Sequence, residues 1–442
     1  MSGHTGGDGR WINPMLLAIL VILIIGVVVY FHYLQGLFSA GLSAVLAVAA
    51  AMLAVGWHET VVGIVSGGRF ADIAHGVVLV ALFALIYLAL RVVFDKLVPG
   101  NVRFHLLVDK IGAACFGLLA GMMATGVLVI AAQALPFAAS IAGYERFPVA
   151  YGKRAEIVIP GSSQRMDAVY DELDETAFRE NQASRLLVPV DDLLQWLVRL
   201  ASDTSGSLSN GQPMADIHPD YLQELFGQRV GLQSGSRRCA LPGKSHVLAV
   251  FTADSFPQQD QERMSLGGFP IGIRSKAILG EKYPLKPVYK PESGRMLLVA
   301  RMFCHRDDTD HGTDMFAFTP AGVRLCVNRR NYFPIGTLQD AQTLFINAVD
   351  DPLFVSRDSC VDVVFDVEED DLLAPPDEQG KRRIRKGAFV EIKRQVQTAI
   401  WDMPLQSMAE AARRSDKMGI VRKHGVLPEP KDKEKEGGGG AT

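Results

Sequence analysis

Residues 107–136 read LVDKIGAACFGLLAGMMATGVLVIAAQALP. After Lys110 no charged residue appears up to Pro136. That run exceeds the roughly 20 residues that carry a helix across a bilayer core, so the stretch reads as a transmembrane helix. Ala113, Gly117, Gly121 and Thr125 recur every fourth residue, with Gly117 and Gly121 as a GxxxG pair. Such spacing lines one helix face with small side chains and lets another helix approach closely in lipid. Small residues are common in membrane helices; four in register favour a packing face.

Toward the N-terminus the apolar pattern repeats three times. Spans are expected at about 15–33, 37–55 and 75–90, with the fourth at 111–135, all within a membrane unit covering 11–143. The first run is N-terminal and short, as in a signal peptide, but only Arg10 precedes it and a second apolar run follows where a mature polar sequence should begin. A tight helical hairpin fits better. Residues 1–10 (MSGHTGGDGR) are Gly-rich and polar and are expected to form a mobile tail. Residues 58–74 contain Glu59, Arg69 and Asp72, which are costly in lipid, so this segment is expected at the interface.

Orientation follows from charge. Arg91, Lys96, Arg103 and Lys110 cluster between the third and fourth spans, whereas the opposite short segments offer Arg10 and Arg69. The positive-inside rule puts the richer loop in the cytoplasm. Four spans then return the chain to the outside, which makes everything after the fourth span extracytoplasmic.

Asn13 before the first span, Gly36 and Gly41 at the turn into the second, and Asp109-x-x-Gly112-Ala113-x-x-x-Gly117-x-x-x-Gly121 opening the fourth resemble the colicin V production (CvpA-like) family of bacterial inner-membrane proteins. The resemblance covers about residues 12–140, and its motif is a loose pattern of small residues after an acidic one. It implies a four-helix module associated with toxin production or export and with envelope upkeep. It also implies that an extracytoplasmic domain, in some relatives a serine protease, can follow the fourth helix.

Beyond residue 143 the composition becomes that of a soluble protein. Residues 144–240 are expected to form a helical connecting region, with a short strand at 155–159 and helices at 167–183 and 190–201. The last is apolar nearly all round, with Asp192, Gln195 and Arg199 as one polar stripe; of packing on the following domain or lying on the membrane, the first is expected, because it has few basic residues for an interfacial helix. A further helix opens in IHPDYLQELFGQRV, with Pro219 in its first turn. From His246 onward eight short runs rich in β-branched and aromatic residues, separated by Gly, Pro and Asp, predict an antiparallel β-sandwich-like core within 241–412. Val361, Val363, Phe365 and Val367 alternate with Asp362 and Asp366, the pattern of a strand with one wet face. Residues 413–442 mix charge with Pro and Gly and are expected to be disordered. The fold class is therefore a four-helix membrane bundle followed by an α+β soluble domain.

Function is less legible. A net charge of −3 gives no basic field for nucleic acid. HRDDTDHGTD at 305–314 has the oxygen ligands of a calcium site, but its Gly is out of place for an EF-hand and no Glu closes it, so a solvated hairpin tip is expected. The basic run Lys381, Arg382, Arg383, Arg385 and Lys386 follows Glu368, Glu369, Asp370 and Asp371, which can neutralise it. No GxSxG or similar nucleophile turn occurs, and no Cys/His spacing suits zinc, so neither a catalytic residue nor a metal or other cofactor is assigned. Cys239, Cys304, Cys326 and Cys360 permit disulfides in an oxidising compartment without selecting pairs. The expectation is a non-enzymatic envelope protein that anchors a partner-binding domain, its partners in the bilayer being lipid and either a second copy of the chain or other membrane proteins. A membrane-tethered hydrolase and an oligomeric pore are the alternatives.

Overall fold

The structure is a computed structural model and describes residues 15–65, 70–98, 104–137, 139–147, 149–158, 165–173, 178–203, 212–230, 239–241, 243–257, 264–266, 269–271, 288–310, 315–339, 343–347, 349–376, 378, 380, 382–407 and 422–423. The expected N-terminal tail and nearly all of the C-terminal tail lie outside these residues, as does Arg103.

Four helices open the chain: α1 (Met15–Gln35), α2 (Leu37–Val65), α3 (Ala71–Leu97) and α4 (Leu106–Ala134). All four are long and apolar enough to cross a membrane. Helix α4 is the hub, touching α1, α2 and α3, and 56% of its most apolar window is buried against 6% for α3. On α2 a row of alanines (Ala40, Ala44, Ala47, Ala51, Ala54) is fully or almost fully buried. Their spacing keeps one face of the helix small enough to lie close to α4. Large apolar side chains such as Ile19, Leu23, Leu85 and Leu88 point outward instead.

Helix directions can be read from close contacts. Gly112 of α4 meets Leu37 and Gly41 of α2 meets Phe116, so α2 runs parallel to α4. Gly76 of α3 lies under Ala131 and Leu135, so α3 runs antiparallel. His58 and His75 therefore sit level with the last turn of α4. Within the segment expected at the interface, 58–74, α2 stays helical through Val65 and α3 begins at Ala71. Two of its acids meet the soluble domain: Glu59 lies 2.9 Å from His218 Nε2, and Asp72 Oδ1 accepts from the Cys239 amide at 2.9 Å.

The region after α4 opens with a hairpin, β1 (Val149–Val158) and β2 (Arg165–Leu173), paired antiparallel. The helix expected at 167–183 is thus a strand for its first part. Helix α5 (Val190–Asp203) follows, then α6 (Tyr221–Gly227), capped by Asp220, whose carboxylate accepts from the Gln223 amide. Pro219 precedes that cap rather than standing inside the first turn.

The remaining strands used below are β3 (His246–Ala253), β4 (Arg295–Cys304), β5 (Met315–Phe318), β6 (Val323–Val327), β7 (Arg330–Tyr332), β8 (Gly336–Gln339), β9 (Thr343–Ile346), β10 (Leu353–Ser356), β11 (Ser359–Glu368), β12 (Phe389–Ile392), β13 (Val396–Ala399) and β14 (Leu405–Ser407). One sheet has the order β9-β8-β11-β4-β3-β14, a second β7-β6-β12-β13, and β10 pairs with β5 in a third. The neighbours are antiparallel except β14, which joins β3 in parallel at the edge. A common core lies between the first two sheets, with Leu298, Ala300, Met302, Val361, Val363 and Phe365 from one and Leu325, Val327, Val390 and Ile392 from the other. The opposite face of the six-stranded sheet is also covered: Phe251, Leu297, Val299 and Val364 on that face pack with Phe256, Ile335 and Tyr289 from outside its strands.

Covering both faces corrects the reading of β11 as half wet. Asp362 is fully buried, and its carboxylate accepts two hydrogen bonds of 2.8 Å from Arg301 on the neighbouring strand. The solvated tip expected at 305–314 is corrected in part as well: Asp308 is buried and accepts from Leu241 N at 2.6 Å and Ser245 N at 3.0 Å, pinning the entry to β3. His311 and Asp314 lie outside the described residues. Around the basic run, Arg382 pairs with Glu369 and Arg385 donates to the backbone oxygens of Asp370 and Asp371. No disulfide links the five cysteines.

Candidate functional site

The residues expected to set helix packing and topology collect in the bundle. Gly117 faces Val29 and His32 of α1, and Gly121 faces Ile25 and Val28 of α1. Ala113 and Thr125 are buried on the same helix. Asp109 caps α2, its Oδ1 accepting from Leu37 N at 2.9 Å, while Gly36, with φ +93°, and Gly112 leave room for that turn. Arg91 donates to Ser43 at 2.7 Å and pairs with Asp95 at 3.0 Å; Lys110 donates to the Tyr33 carbonyl at 2.9 Å; Lys96 is exposed. These groups stand at the end of the bundle away from the soluble domain.

At the other end the domain docks. Helix α5 lies along α4 and α2: a Cβ on Gly126 would come within 2.8 Å of the Val190 carbonyl, and Leu194 and Val198 share a core with Ala47, Ala51, Met123 and Val127. This differs from the expected packing of α5 on the following domain. Two acids in its first turn, favourable at a helix N-terminus, also fasten it. Asp191 accepts from Gln133 at 2.9 Å, and Asp192 accepts from Arg146 at 2.8 Å. Burial raises the Asp191 pKa above the usual carboxylate value, although nearby Arg146 opposes the change.

Between α2, α3, α6 and the hairpin β12–β13 lies a buried polar cluster. His218 is held between two carboxylates, with Nε2 2.9 Å from Glu59 and Nδ1 2.5 Å from Glu224. Arg324 on β6 bridges Glu224 at 3.1 Å and Glu391 at 2.8 Å. Arg394 donates to the Tyr221 hydroxyl at 2.7 Å, and that hydroxyl lies 2.8 Å from His58 Nε2. Gln395 reaches His75 Nε2 at 3.0 Å. Glu59, Glu224 and Glu391 thus face His218, Arg324 and Arg394, three acids against three bases. Burial opposes charge on His218, but Glu59 and Glu224 outweigh it and lift its pKa to about 10. Burial pushes the Tyr221 phenol up, with Arg394 pulling the other way. Because buried charges are tolerated only when paired and hydrogen-bonded, the network ties bundle and domain into one docked state.

Sequence reasoning passed over these residues. In the sequence Glu59 reads as a group that is costly in lipid, and His58 and His75 merely begin the ranges 58–74 and 75–90. The available signal was Glu59 itself, an ionisable residue inside WHETVVGIV, which requires a named partner. His58, Glu59 and His75 also bring one ligand-capable atom each to within 4.8 Å of one another. A separate cleft of about 700 Å³ opens on the domain, with Arg179, Tyr289, Arg295, Arg330, Tyr332 and Asp366 in its wall. Several of its charges are paired with each other, Arg295 with Asp366 at 2.8 Å and Arg330 with Glu368 at 2.7 Å.

No protein-family model, curated protein or solved structure matches the chain. The four apolar helices define a candidate multi-pass membrane protein with a strand-rich domain docked at one end.

Proposed function

We propose that this chain is a multi-pass protein of a bacterial inner membrane whose four helices anchor a partner-binding domain on the extracytoplasmic side, in the manner implied by its resemblance to the colicin V production family. The observation that carries the reading is the docked junction: the domain closes over the end of the bundle opposite the Arg91, Lys96 and Lys110 end, and buried ion pairs join the two. Positive charge at the far end favours the cytoplasm for that end. The sheets that share a core are two faces of a sandwich-like domain, and its charged cleft is where a polar segment of an envelope partner enters. The role is anchoring and partner binding rather than catalysis.

Alkaline phosphatase fused after Ser140 and after Gly100 tests this directly. Activity at the first site and none at the second is the expected result. The reverse pattern places the domain in the cytoplasm and overturns the reading.

A further inference from the structure

We infer that His58, Glu59 and His75 form a binding site for a divalent transition-metal ion, zinc being the ion their two nitrogens and one carboxylate suit best. Two imidazoles and a carboxylate are a donor set that zinc accepts, with an open fourth position for water. Their ligand-capable atoms already lie within 4.8 Å of one another, and His58 Nε2 is 3.9 Å from Glu59 Oε1. Closing to ligand distances of about 2.1 Å from a shared ion takes side-chain movements of about 1 Å.

Independent evidence comes from polar atoms left over at this place. Glu59 Oε1 and His75 Nδ1 are buried and have no hydrogen-bond partner. Such orphans are costly, and a cation satisfies both. The atoms behind the ligands are arranged for the same purpose. His58 Nδ1 lies 2.7 Å from the Val55 carbonyl, which fixes the proton there and leaves Nε2 with its lone pair. On His75, turning the Gln395 amide over places its otherwise unpartnered Oε1 against Nε2–H and leaves the ring's lone pair on Nδ1, which has no hydrogen-bond partner. An oxygen acceptor behind each ligating histidine is the usual support of a metal site. The second Glu59 oxygen is held at 2.9 Å by His218.

Arg394 is the competitor. Its Nη2 is 3.5 Å from His58 Nε2 and its Nε is 3.9 Å from Glu59 Oε1, so the guanidinium stands beside the three ligands. The Tyr221 hydroxyl, which donates to His58 Nε2, would yield that lone pair to the ion and keep its bond from Arg394. A metal here needs only the docked junction and not a particular side of the membrane, so its failure would leave the topology experiment unaffected. Bound zinc would cross-link α2 to α3 directly beneath the domain.

The test uses the full chain in detergent, freed of any affinity tag, stripped with a chelator, reloaded with Zn²⁺ alone and passed through gel filtration before the metal is counted. The parent should retain one ion per chain, His58→Ala and His75→Ala should retain none, and Gln395→Met should bind at least about tenfold more weakly. A parent that retains no ion, or a His75→Ala protein that retains as much as the parent, overturns the site. If the alanine variants do not fold, the absorption spectrum of Co²⁺ bound to the parent decides. Bands of a four-coordinate ion with nitrogen ligands support the site, and the spectrum of the hydrated ion refutes it.

Discussion

Lys393 and Arg394 are consecutive residues with φ of +46° and +68°, in the left-handed region that glycine and asparagine usually occupy. With Gln395 they form the three-residue turn between β12 and β13, where glycine is the usual choice for a left-handed position. Their side chains explain the departure, since both are buried in the junction. Residues AFVEIKRQVQ read as one uninterrupted strand because no turn residue marks the reversal. Burial lowers the Lys393 pKa despite the opposing pull of Asp310, Asp308 and Asp72, and its Nζ has no hydrogen-bond partner, lying instead over the Phe316 ring at 4.4 Å. Between the lowered folded pKa and the ordinary 10.5 the folded state holds fewer protons than the unfolded, so this residue's contribution makes stability rise with pH through that window. Replacing the amine removes a buried polar group that has no hydrogen-bond partner. Lys393→Met should therefore be more stable at neutral pH, by on the order of 1 kcal/mol, and should lose that alkaline rise. Thermal melts at pH 7 and pH 10 check both; a variant less stable at neutral pH would show that the contact with Phe316 outweighs desolvation.

Among the elements, the four helices were legible because hydrophobic length is written in consecutive residues. The glycine stripe was legible too, but its partner was not: α1 of the same chain fills it. The two glycines are unequal. A Cβ on Gly117 would sit 2.8 Å from His32 Cβ and 3.2 Å from Val29 Cα, whereas on Gly121 the nearest atoms are at 3.4 Å. Gly117→Ala should lower the melting temperature in detergent by several degrees, a loss of about 1–2 kcal/mol, and Gly121→Ala should change it little. Equal shifts would contradict the helix pairing. Helix α5 makes a second case. It packs on α4 at Gly126, eight residues before that helix ends, while Trp196 and Leu200 on its outer face are 57% and 59% exposed. Contact with a membrane helix at that depth puts the outer face at the lipid surface, where tryptophan is favoured. In two single-tryptophan variants, with every other tryptophan changed to phenylalanine, Trp196 alone should be quenched by brominated lipids and Trp401 alone, out on the domain, should not. Equal quenching would detach α5 from the bilayer. The error over 167–173 has a plain cause, since β2 is acidic and weakly patterned and exists through its pairing with β1.

For the whole molecule, composition located the boundary between bundle and domain but not their union. The junction draws His58, Glu59, His218, Glu224, Arg324, Glu391 and Arg394 from segments separated by up to 336 residues, so no local pattern could reveal it. Asp362 shows the same limit inside the domain, since its alternation with valines reads as wetness until Arg301 is found beside it. The central claim is that bundle and domain are one docked unit. Hydrogen–deuterium exchange on the full chain in lipid nanodiscs tests it most directly, because α6 lies between the two parts, with Tyr221, Leu222 and Leu225 packed on the bundle core and Phe226 on Phe147, Phe178 and Phe333. Amides of 221–227 should exchange as slowly as those of β11. Exchange of 221–227 at the rate of an open loop, while α4 and β11 stay protected, would contradict the account.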